Sequence, residues 1–194
     1  ESNDSKTTAD SISSGDSIKG QLSSSSDVDY YKFTVSSSGS VSIFLDTPTY
    51  TSTEYFKFTL YDSNNNSLGT YSTGLDLTAS LGIPIAGTYY LKLQTASSSR
   101  HTADQYSLTQ TFTAGNASSF ESESNNTTST ADTVALGTPI KGQLSTSLDV
   151  DYYKFTVTSS GTVSIFLDLS TYSSYDYFKF TLYDSNNNNL GQYA

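Results

Sequence analysis

The chain has 194 residues, a net charge of −10 at pH 7, and no cysteine, methionine or tryptophan. Such an acidic chain repels nucleic acid and anionic lipid, and without cysteine it has no disulfide, thiolate nucleophile or cysteine-containing zinc site. No apolar run approaches the roughly 18 residues of a membrane span, so neither a nucleic-acid partner nor a membrane span is expected.

In chain order, a polar N-terminal segment comes first, with one candidate helical turn at "TTADS" (7–11). Alternation with a period of two then dominates, the mark of half-buried strands. In "YYKFTV", Tyr31, Phe33 and Val35 share one face. Val41, Ile43 and Leu45 do so in "VSIFLD", Phe56, Phe58 and Leu60 in "YFKFTLY", and Tyr89, Leu91 and Leu93 in "TYYLKLQ". "YSLTQTF" (106–112) continues the style. Turn-forming stretches separate these runs: "SSSGS" (36–40), "DSNNNSLG" (62–69) and "PIAGT" (84–88). Seven or eight such strands predict an all-β fold, an antiparallel β-sandwich.

The chain also repeats itself. Shifted by 122 residues, 50 of the 72 comparable positions are identical, and "DVDYYKFTV" recurs unchanged at 27–35 and 149–157. The sequence therefore predicts tandem sandwiches: one over 1–112, a small, polar linker at 113–120, and a second over 121–194 that lacks the counterpart of 73–112. Starting at a polar Glu1 and stopping inside its second copy, the chain reads as a window onto a longer, mature array.

Each copy of the repeated strand opens with two acids around a valine, which places Asp27 and Asp29, or Asp149 and Asp151, on one side of the chain. Carboxylates held that close repel each other unless a cation lies between them. The preceding segments add oxygen ligands: Glu1, Asn3 and Asp4 in copy one; Glu121, Glu123, Asn125 and Asn126 in copy two. Oxygen donors without Cys, and with no His nearby, suit calcium better than a transition metal. A solvated acidic turn with polar capping residues is the alternative.

The ordered pattern of "ESESNN", "IKGQLS", "DVDYYKFTV", "GTVSIFL", "FTLYDSNNN" and "AGTYYLKL" resembles the bacterial pre-peptidase C-terminal domain, a family that includes the collagen-binding domains of clostridial collagenases. The resemblance covers residues 1 to about 112 and again 121–194. It implies a jelly-roll-like sandwich in which the acidic N-terminal segment and the D-x-D-Y strand together bind calcium. It carries that role onto Glu121, Glu123, Asn125, Asn126, Asp149 and Asp151 in copy two, and onto Glu1, Asn3, Asp4, Asp27 and Asp29 in copy one. Copy one lacks the leading Glu of the motif, and Asn126 replaces an acid, which weakens a calcium site.

No catalytic set is apparent, and the chain is not expected to be an enzyme. The single histidine, His101, lies in a polar loop, and Asp62 sits in a hairpin turn where backbone reasons explain it. Outward tyrosines form a candidate binding face: Tyr30, Tyr55, Tyr61 and Tyr90, with Tyr152, Tyr177 and Tyr183 in copy two. Ser/Thr-rich loops and Asn-x-Ser/Thr sites such as Asn65 and Asn116 are candidates for glycosylation. Two functions fit. One is a calcium-stiffened structural repeat of a secreted or cell-surface bacterial fibre or adhesin stalk, with neighbouring copies joined head to tail or by strand complementation. The other is a tandem module that attaches a secreted enzyme to collagen, polysaccharide or another insoluble extracellular polymer.

Overall fold

The computed structural model describes residues 2–48, 53–115, 117–144, 148–169 and 178–193. Residues 1–156 and 157–194 form two compact units. The first contains the whole of copy one, a nearly all-β sandwich. Its first sheet has five strands in the order β1 (Asp10–Ser11), β3 (Val28–Val35), β8 (Gly87–Thr95), β5 (Phe56–Tyr61), β6 (Ser67–Thr73). Its second has four, in the order β2 (Ser17–Leu22), β9 (Thr102–Ala114), β4 (Gly39–Asp46), β7 (Leu77–Ile83). All pairings are antiparallel except the short parallel contact of β1 with β3.

The alternation read from the sequence is the alternation of the core. Tyr31, Phe33, Val35, Phe56, Phe58, Leu60, Tyr89, Leu91 and Leu93 face inward from the first sheet. Val41, Ile43, Leu45, Ala79, Leu81, Ile83, Tyr106 and Leu108 meet them from the second. Phe33 stacks on Tyr89 with ring centroids 5.8 Å apart, and Phe56 meets Tyr106 edge to face at 5.9 Å. Three buried tyrosines need partners for their hydroxyls. Tyr31 and Tyr106 share one hydrogen bond of 2.6 Å, and Tyr89 donates to the carbonyl of Ile85 at 2.8 Å. One outward position departs from the pattern: Thr59 is buried, its hydroxyl hydrogen-bonded across the strand pair to that of Thr70 at 3.0 Å.

Of the helical turn expected at 7–11, the structure forms a 3-10 turn at Lys6–Thr8, while Asp10 and Ser11 belong to β1. The Asp62 hairpin is held by its own side chain, whose two oxygens accept from the backbone and the amide of Asn66, each at 2.8 Å. Asn65 takes the left-handed φ of 72° that the turn requires. In the second unit, Asp184 and Asn188 repeat this arrangement at 2.8 and 2.9 Å, Asn187 has φ 65°, and the turn joins β12 (Phe180–Tyr183) to β13 (Asn189–Tyr193).

Copy two begins inside the first unit. There β10 (Asp132–Thr133) pairs with β11 (Tyr153–Lys154) in parallel, Asp132 opposite Tyr153, as Asp10 lies opposite Tyr31 in copy one. Beyond Thr156, among the described residues, the match in structure is the β12–β13 hairpin, which keeps the register of β5–β6. Val163, Ile165 and Leu167 are exposed, whereas their counterparts Val41, Ile43 and Leu45 are fully buried. In copy one, β4 lies between β7 and β9.

Candidate metal centre

The site lies where the second copy starts. Residues Ala117–Ser119 form a 3-10 turn, after which Phe120 bridges Lys141 in parallel. Lys141 donates its amide to Ser119 O at 3.0 Å, and Glu121 donates its amide to Lys141 O at 2.9 Å. This short ladder fixes Glu121, which is only 8% exposed. Its carboxylate accepts from the Gln143 amide on one oxygen and from the Tyr153 hydroxyl, at 2.6 Å, on the other.

Glu121, Glu123 and Asp151 come together, with one carboxylate oxygen from each lying within 4.8 Å of the others. Burial, and then the charges of Asp149 and Glu121, push the Glu123 carboxyl up to about 7. Burial, followed by the hydrogen bond and charge of Glu121, pushes Asp151 up to about 8. Three further acceptors are enclosed with no hydrogen-bond donor: Glu123 Oε1, Asp151 Oδ1 and the Oδ1 of the fully buried Asn125. A buried acceptor without a donor is costly, and a cation supplies what is missing.

Asp132, which the sequence reading did not single out, organises the rest. It accepts from the Ser122 amide at 2.7 Å, the Ser122 hydroxyl at 2.6 Å and the Asn125 side-chain amide at 3.2 Å. Holding the NH₂ end of Asn125 in this way fixes its carbonyl oxygen as a free acceptor. The only signal for Asp132 in the sequence is that it repeats Asp10 at the 122-residue period. The Asn125 backbone carbonyl accepts from the Tyr152 amide at 3.0 Å, so the N-terminal segment is stitched to the D-x-D-Y strand. Asn126 is exposed, and its Oδ1 accepts from the Val150 amide at 3.2 Å; Asp149 is half-buried. The donor set is oxygen throughout and short of positive charge, which fits a hard cation such as calcium.

Copy one arranges the corresponding residues differently. Asn3 is buried, with Oδ1 unpartnered, and its carbonyl accepts from the Tyr30 amide at 2.8 Å. Asp29 is fully buried and accepts from the Tyr106 hydroxyl. Asp27 caps a turn, accepting from the Ser23 amide at 2.7 Å and its hydroxyl at 2.9 Å. Asp4 is exposed, and Glu1 lies outside the described residues. The Tyr106 hydroxyl sits beside Gly20 and Tyr31, the place that the Glu121 carboxylate takes beside Gly142 and Tyr153. Among the described residues, only copy two gathers three carboxylates.

Residues 27–95 match the bacterial pre-peptidase C-terminal domain. No curated protein matches the chain. Among solved structures, the pre-peptidase C-terminal domain of collagenase from Bacillus anthracis is similar at 22% identity and a TM-score of 0.44, over 53% of this chain and 93% of that one. The periplasmic lysozyme inhibitor PliG of Salmonella Typhimurium is similar at 20% identity and a TM-score of 0.37, over 54% and 98%. The carbohydrate-binding module CBM36, solved with calcium and xylotriose, is similar at 12% identity and a TM-score of 0.28, over 50% and 88%.

On the outer face of the copy-one sandwich, the tyrosines are partly covered. Tyr55 packs against the core, and Tyr30, Tyr61 and Tyr90 are half-buried. The ammonium of Lys6 lies 4.8 Å from the ring centroids of both Tyr61 and Tyr90, enclosed and without a hydrogen-bond partner. Burial lowers its pKa, opposed in part by the charge of Asp62. In copy two the Lys6 position is Thr128. There Tyr152 is half-buried and Tyr183 is exposed, while Tyr177 lies outside the described residues.

Proposed function

We propose that the chain is a non-catalytic, extracellular tandem module, a repeat of a bacterial surface fibre or adhesin stalk whose joints are stiffened by calcium. The observation that carries this reading is the group Glu121, Glu123 and Asp151 at the point where one copy passes into the next. Bound calcium supplies the positive charge that these oxygens lack. Glu121 and Glu123 come from the incoming segment and Asp151 from the D-x-D-Y strand, so an ion shared between them ties that segment down. Asp132 keeps Ser122 and Asn125 in register beneath it.

The test is thermal unfolding of the intact chain with calcium and with excess chelator. A ligand bound only by the folded state raises stability by mass action, by about 2.7 kcal/mol at a hundredfold excess over Kd. The expected result is a higher Tm with calcium that disappears in the Glu123→Gln, Asp151→Asn variant. Equal melting in calcium and chelator would refute the calcium joint.

A second reading, attachment to collagen or polysaccharide, is favoured by a shallow groove of about 350 Å³ on the tyrosine side of the first sheet. Ser11, Ser13, Thr34 and Thr88 line it with hydroxyls, beside Lys32 and the ring of Tyr90. Hydroxyls next to an aromatic ring suit a polar polymer. Co-sedimentation with insoluble collagen or polysaccharide, reduced by Tyr90→Ala, would support it; no co-sedimentation would remove it.

A further inference from the structure

The side of the copy-one sandwich where β6 and β7 meet presents the outer strands of both sheets. An open edge offers unpaired backbone groups and tends to recruit another chain. Here the start of copy two covers it. The Thr70 amide, which points off the free edge of β6, donates to the Gln143 side-chain oxygen at 2.8 Å. On β7, Phe120 lies so close to Gly82 that a Cβ there would stand 2.5 Å from the Phe120 Cβ and 3.0 Å from the Glu121 carbonyl oxygen. Gly69 is equally confined, since a Cβ would stand 2.5 Å from Leu81 Cδ2 and 2.8 Å from Gln143 Oε1.

We propose that this β6–β7 side is the docking surface for the following repeat, with Gly82 as the notch for Phe120 and the Thr70 amide as the anchor for Gln143. The anchor side of the lock recurs at the 122-residue period: Gln143 repeats Gln21, and Gly69 is repeated as Gly191. The anchor is a backbone amide, so the change from Thr70 to Gln192 leaves it in place. The same surfaces therefore build a head-to-tail, non-closing array, the heterologous contact that generates filaments. The incoming Phe120 is followed directly by Glu121, so the segment that seats in the notch is the segment that carries the acidic group. The inference rests on the array reading above but not on calcium.

Amide hydrogen exchange on the intact chain tests it, in calcium and in chelator. The Thr70 amide is expected to exchange slowly. Gly82→Val, whose Cβ first meets Phe120 and Glu121, and Gln143→Ala are each expected to speed it roughly tenfold or more. The amides of Leu60 and Leu91 in the core serve as the control for unfolding of copy one. Gln143→Ala leaves copy one unaltered and decides the matter if Gly82→Val disturbs the sandwich. Thr70 exchange unchanged in Gln143→Ala would overturn the proposal. Protection of Thr70 in chelator, lost in Gln143→Ala, would support the docking surface by itself, and a protection pattern and melting temperature that calcium leaves unchanged would refute the calcium joint alone.

Discussion

At the scale of single residues, Asp132 matters beyond its own contacts. It is not one of the three gathered carboxylates, yet it orients Ser122 and Asn125. Partners that orient ligands typically contribute about 10–100-fold to metal affinity. Asp132→Ala is therefore expected to weaken calcium binding by about that factor, as measured by calorimetric titration. The acidic group also makes a pH prediction. Glu123 and Asp151 have folded values of about 7 and 8, above the ordinary carboxylate values of 4.5 and 3.8. The folded chain then holds more protons than the unfolded chain between about pH 4 and 8, so in chelator its stability falls as pH rises through that window. Calcium is expected to remove the slope, which melting curves across the range would reveal. Lys6 was legible in the sequence only as one polar residue of the N-terminal segment, because nothing in the pattern says that an ammonium will rest between two rings contributed by β5 and β8. Lys6→Ala is expected to cost about 1 kcal/mol, seen as a lower Tm.

At the scale of elements, the strands were legible because burial and sequence share a period of two. Tyr31 to Val35, Val41 to Leu45 and Tyr89 to Leu93 alternate in the structure as they do in the letters. β2 and β7 escaped notice. In β2, "SIKGQL" carries a lysine and a glycine; in β7, "LTASLGI" spends inward positions on Ala79. Gly20 in β2 is there for space, since a Cβ would run into the hydroxyls of Tyr31 and Tyr106. Gly20→Val is expected to destabilise copy one by about 1–3 kcal/mol, the usual cost of overpacking, and urea melts would measure it. Of the acids that the sequence pointed to, Glu121, Glu123 and Asp151 lie together in the structure, and they were legible because oxygen-bearing side chains recur in order in both copies. Its geometry was not, because the sequence does not say that Tyr106 fills in copy one the place that Glu121 fills in copy two.

For the whole molecule, the repeat announced two similar modules, and the structure shows how unequal they are over the residues present. Copy one closes its core, whereas Val163, Ile165 and Leu167 of copy two stay exposed. In copy one, β4 is flanked on both edges by strands that come later in sequence, β7 and β9. Extending the chain by a copy of residues 73–112 is expected to bury those side chains, read as loss of binding of a hydrophobic dye. The joint between copies was the least legible feature. A small, polar stretch at 113–120 signals a connection but says nothing of Phe120 seated against Gly82. The central claim is the calcium joint, and calorimetric titration of the chelator-stripped chain with calcium tests it most directly. The account predicts saturable binding that is lost in the Glu123→Gln, Asp151→Asn variant. Absence of binding, or binding that the double variant retains, would contradict it.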